Sequence, residues 1–193
     1  MSYYGRPPAA QTRICKETPC DPPTEVRGKR IAADTISEAA MTEGERIADQ
    51  LHRAIDGPAW HGDSVFEILR GVTARQAAAR PIPNAHSIWG LVLHMIAWGW
   101  VVKNRVEGKR QDVPDEGDWP QVTDTGEEAW RQAQEKLKSM VSAVCQTATG
   151  LDNARLAAFA PGCAFDNYVM LHGLVQHCLY HAGQMALLKK LVS

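Results

Sequence analysis

The chain has 193 residues, room for one stable core plus an appendage. Its 21 basic and 22 acidic residues are interleaved and leave a formal net charge of −1, which excludes an electrostatic grip on nucleic acid or an anionic membrane surface. The longest apolar run, Ile88 to Val102, is interrupted by His94 and is too short for a membrane span.

The first 40 residues differ from the rest. Met1 to Arg30 carries Pro7, Pro8, Pro19, Pro22 and Pro23 with little apolar periodicity, which predicts a flexible extension. No charged segment leads into an apolar stretch there, so no secretory leader is expected. The five cysteines, Cys15, Cys20, Cys145, Cys163 and Cys178, are odd in number and scattered. They suggest no disulfide framework, and a reducing cytoplasm is the expected location. Cys15-x4-Cys20 has no second ligand pair at zinc-ribbon distance and reads as incidental.

The folded domain is expected over residues 41–193. Thr42 and Glu45 have capping-box spacing, and Met41 just before them is an alternative natural start. Ile47, Leu51, Ala54 and Ile55 form one helical stripe. Gly57-Pro58 interrupts it, and Asp63 to Val72 is expected to resume it as one bent or broken helix. A loop with Pro81 and Pro83 follows. The second helix should run from an N-capping Ser87 to Glu107, with Gly108 ending it. It is apolar on most sides, which predicts deep burial.

A third helix is expected from Thr125, in capping-box spacing with Glu128, to Gly150. Its stripe is Trp130, Ala133, Leu137, Met140, Val141, Val144 and Ala148. The last helix should span Asn167 to Leu191, with Lys189 and Lys190 near the negative end of its dipole. Four long helices and no convincing strand predict an all-α four-helix bundle.

The last helix contains His177-Cys178-Leu179-Tyr180-His181. Residues four apart on a helix differ by only about 40° in direction and stand about 6 Å apart, so both imidazoles can reach one metal ion. His94 lies mid-helix in the most apolar segment, on a stripe with Leu91, Trp98 and Val101. Facing an inward HxxxH it makes three ligands from two helices, the way bundle metal sites are built. Three neutral nitrogens leave a coordination position open, as in catalytic zinc sites. Cys178 stands where a zincin needs its glutamate, which excludes that class. His86 and His61 could line the open end, with packing or capping the simpler role for each. Cys178 points about 100° away from His177 and should pack in the core. His52 and His172 read as helix-face residues. No carboxylate base can be assigned beside the ligands.

These segments resemble the DinB/YfiT-like superfamily of bacterial four-helix proteins. The resemblance rests on His86-Ser87-Ile88-Trp89, Leu91-Val92-Leu93-His94 with Trp98, Asp118-Trp119-Pro120, Trp130, and Gly173-Leu174-Val175-Gln176-His177 running into Tyr180-His181-Ala182-Gly183-Gln184. It covers about residues 42 to 191. It implies a divalent metal, zinc first with nickel, iron or manganese as alternatives, held by His94, His177 and His181. It also implies enzymes that transfer or isomerise with low-molecular-weight thiols. A thiol S-transferase or hydrolase acting on a small molecule is one expectation. The other is a non-catalytic stress-related or interaction protein whose metal ties two helices together. A homodimer is expected from the apolar surface of the second helix.

Overall fold

The computed structural model describes residues 41–193; the predicted extension, with Cys15 and Cys20, lies outside the described residues. Thr42 opens α1 (Glu43–Asp56) with the expected reciprocal cap. The Glu45 amide donates to Thr42 Oγ1 at 3.2 Å and the Thr42 amide to Glu45 Oε2 at 2.7 Å. Ile47, Leu51, Ala54 and Ile55 are all buried.

The bent or broken helix expected through residue 72 is broken into two elements. Pro58 lacks an amide proton and disfavours helical backbone at the residue before it, so Gly57 is extended and α1 stops. A short α2 (Val65–Leu69) starts afresh from Ser64. A further turn, α3 (Ala74–Ala78), lies in the expected loop, capped by Thr73 and Gln76.

Ser87 caps α4 (Ile88–Val106) through the Gly90 amide at 3.0 Å. Gly108, at φ 86°, takes the left-handed conformation in which helices commonly end. The capping box expected at Thr125 does not form. The N-cap of α5 (Glu127–Thr149) is Gly126, with no side-chain cap. The Asp124 carboxylate accepts the Gly126 amide at 2.8 Å, while Glu128 turns forward to Arg131. Glu127 accepts the Ala74 amide at 3.0 Å, so the start of α5 caps α3 rather than itself. Every residue of the predicted α5 stripe is buried. The short α6 (Asn153–Leu156) precedes α7 (Asn167–Val192), which Asp166 caps.

All regular structure among the described residues is helical, with one isolated bridge between Phe159 and Asp166. Helices α1 and α4 each pack against both α5 and α7. Val92, Met95, Leu137, Met140, Cys178 and Met185 are fully buried between them. On α4 Trp100 is exposed and Leu93, Ile96 and Val102 are partly buried. On α7 Val169, Tyr180, Leu187 and Leu191 are exposed. Among the described residues no helix is long and apolar enough to cross a membrane.

Candidate metal centre

Packing of α4 against α7 brings His94 to His177 and His181. His94 and His181 are buried and His177 half-buried. The Nε2 atoms of His94 and His177 are 3.0 Å apart, and those of His181 and His177 2.9 Å apart. One ligand atom from each ring lies within 4.8 Å of the others, so the group could hold a metal ion.

The partners on the far side of two rings decide which nitrogen faces inward. His94 Nδ1 lies 2.7 Å from the Asp118 carbonyl oxygen. A carbonyl only accepts, so Nδ1 carries the proton and Nε2 presents a lone pair. His181 Nδ1 donates to Gln184 Oε1 at 2.6 Å with the same result. His177 Nδ1 is buried without a partner. Three neutral rings so arranged cannot satisfy one another, because His177 has at most one N–H for two lone pairs. A cation accepting all three nitrogens removes the conflict. The spacings also approach the roughly 3.3 Å between ligands of a tetrahedral ion with metal–nitrogen bonds of about 2.0–2.1 Å. The donor set therefore fits a divalent metal.

The electrostatics agree. Burial, then the neighbouring His181 and His94, push the His177 imidazole down to about 4, against a smaller opposing effect of Asp118. Burial also lowers His181, more than its bond to Gln184 raises it. Neutral imidazole is the form that binds metal. Cys178, although next in sequence to His177, is fully buried, and burial pushes its thiol up to about 12. It is a core residue, as its direction on the helix predicted.

The loop between α4 and α5 supplies what holds His94. Gly117, at φ 84°, turns the chain where an L side chain would be strained. Asp118 then reaches the site twice: its carbonyl accepts the His94 Nδ1–H, and its carboxylate accepts the Trp98 indole N–H at 2.7 Å. That carboxylate is also 3.4 Å from His94 Nδ1, so a carboxylate does stand beside the three histidines, contrary to the sequence expectation. Trp119 stacks on His94 at 3.8 Å between centroids, and exposed His86 stacks on the other face of Trp119 at 3.4 Å. His86 thus acts through Trp119. Burial, then Arg80 and His94, lower its pKa.

His61 is not brought to the site. It lies in a separate cleft with Arg53, Trp60, Val175 and Leu179, and the last two stand about 160° around α7 from His177.

Stacked aromatic pairs contribute about 0.5–1.5 kcal/mol beyond area burial, and partners behind a metal-binding histidine matter about 10–100-fold in affinity. Replacing Trp119 with leucine is therefore expected to weaken any divalent-ion binding at the three histidines by about tenfold while the helix content is kept. Competition against a chromophoric chelator measures this, and wild-type affinity in the variant would show that the stack is incidental.

The family model of the DinB superfamily matches residues 59–185, more than half of the chain. No curated protein and no solved structure matches the chain. His94, His177 and His181, their partners Asp118 and Gln184, and the Trp119 stack all fall inside the matched span, and the chain belongs to the DinB superfamily.

Proposed function

We propose that the protein is a metal-dependent enzyme of the thiol S-transferase or hydrolase type, built as a four-helix bundle from α1, α4, α5 and α7. His94, His177 and His181 hold one divalent ion, zinc first, with nickel, iron or manganese as alternatives. The observation that carries this reading is the convergence of three Nε2 atoms beside a cleft lined by His94, His177 and Asp118. A divalent ion bound there supplies Lewis acidity, which lowers the pKa of a thiol or water at the position the histidines leave open. The Asp118 carbonyl and Gln184 fix two imidazole tautomers. Trp119 and His86 hold the plane of His94. The Asp118 carboxylate, anchored by Trp98, stands at the rim as a proton acceptor.

The test uses cobalt-substituted protein titrated with 2-mercaptoethanol. A sulfur-to-cobalt charge-transfer band is expected, strengthening as pH rises toward the thiol pKa, about 8.5 for a cysteine-like group. A spectrum indifferent to thiol, azide and pH alike would overturn the enzymatic reading in favour of a structural metal in a stress-related or interaction protein.

We further propose that residues 1–40 are a separate extension and that the domain of residues 41–193 forms a homodimer in the cytoplasm. The cap at Thr42 and the exposed apolar residues of α7 support this. A chain beginning at Met41 is expected to keep its thermal midpoint and metal content and to show a dimer mass by light scattering. A midpoint lower by many degrees would mean that the extension packs on the domain, and a monomer mass at micromolar concentration would rule out the dimer.

A further inference from the structure

The cleft between α4 and α7 next to the three histidines has a volume of about 330 Å³, near the lower end of the roughly 300–1,000 Å³ of small-molecule sites. Trp98, Val102, Met170 and Leu174 form its apolar walls, and His94, His177 and Asp118 give it one polar end. A sugar or peptide would leave most of its polar groups against apolar walls, which costs free energy unless each finds a partner.

Gly173 provides an independent observation. It lies inside α7 and lines the same cleft. Glycine in a helix interior is less stable than alanine, so such a residue calls for a reason. A Cβ built at Gly173 meets no atom of the described residues within 4 Å, so no packing contact among them demands its absence. The space a side chain would occupy is open, and it adjoins the cleft.

We propose that this cleft binds a mainly apolar small molecule, about the size of a substituted benzene ring, and that Gly173 sets the size it admits. This rests on the proposed function for its place beside a metal, though the binding itself does not need the ion. The ligand is thus the second, apolar reactant, whereas a thiol with a charged or sugar-like body makes its contacts outside the cleft. The hydroxyl or other donor of such a ligand would point toward Asp118, where a carboxylate can accept it.

The experiment follows the Met170 methyl resonance of metal-loaded full-length protein, carbon-13 labelled at methionine, during titration with benzyl alcohol and with glycerol. Benzyl alcohol is expected to shift the signal. Glycerol should bind at least about tenfold more weakly, because its hydroxyls would lie against the apolar walls. Gly173→Leu should abolish the shift with benzyl alcohol. Gly173→Ala should raise the thermal midpoint and weaken the probe only in part, and it carries the size test alone if the leucine variant does not fold. Equal affinity for the two probes, or unchanged affinity in the glycine variants, would overturn the proposal. Metal content is measured on the same samples. A chain that takes up no metal yet still prefers benzyl alcohol would overturn the metal reading and leave this one standing, and a metal-loaded chain that binds the two probes equally would do the reverse.

Discussion

Replacing His177 with alanine is expected to reduce affinity for a divalent ion by more than about 100-fold, beyond the 10–100-fold typical of partners behind a ligand. His177 is the middle member of the group, with its Nε2 at 3.0 Å from that of His94 and 2.9 Å from that of His181. Without it the other two rings keep their Nδ1 partners but lose the nitrogen that joins them. His94→Ala and His181→Ala should also release the ion. Full metal occupancy in any of the three, by elemental analysis, would show that the ion sits elsewhere.

The metal-free protein gives the same prediction a pH signature. His177 is held down to about 4 in the folded chain, below the roughly 6.5 of an unperturbed histidine. Between those values the unfolded chain takes up a proton that the folded chain refuses. Stability is therefore complete above about pH 6.5 and falls as pH drops toward 4. His177→Ala should flatten this part of the stability–pH curve. An unchanged slope would mean that His177 is more solvated than its surroundings indicate.

The second large effect is expected at Trp130. Its side chain is 2% exposed, it packs on Trp89 at 5.1 Å, and its indole N–H donates to the Val72 carbonyl at 2.8 Å. Trp130→Ala should destabilise by about 3–5 kcal/mol, the range for deleting a large buried aromatic. In a chain of this length that lowers the thermal midpoint by on the order of 10 °C. Trp130→Phe keeps much of the packing but leaves the Val72 carbonyl unpaired, at a cost of about 1–3 kcal/mol. Urea unfolding of both variants separates the contributions. Equal losses would mean that the hydrogen bond, not the packing, carries the effect.

Trp130 also illustrates what the sequence made legible. It sits in an amphipathic stripe of period 3.6, and every residue of that stripe is buried. Periodicity likewise located α1, whereas α4 was legible as an apolar run between the Ser87 cap and Gly108, and helical spacing alone aimed His177 and His181 the same way. Legibility ended where loops decide. Asp118 holds His94 through its backbone carbonyl, a contact no side-chain pattern encodes, and its carboxylate is placed by a hydrogen bond from Trp98, 20 residues earlier. Trp119 was visible in Asp118-Trp119-Pro120, but its stack between His86 and His94 depends on how the loop folds back. His61, beside the helix break, belongs to another cleft because residues near the α1 terminus meet α7 on the side away from His177. At Thr125 a local cap lost to two alternatives, the Asp124 turn and the use of Glu127 by α3.

His94 and His177 are 83 residues apart in the chain, whereas His177 and His181 are separated by a single helical turn. An unfolded chain therefore keeps only the weak local pair, and the three-nitrogen set exists only in the folded protein. Ligand binding that favours the folded state stabilises it by mass action, by about 2.7 kcal/mol when the free ion is at 100 times its Kd and somewhat less when the unfolded chain also binds. With the proposed ion as that ligand, the melting temperature of this protein becomes a gauge of free metal in its surroundings. Two preparations differing only in trace ion would melt apart while sharing every contact in the apolar core.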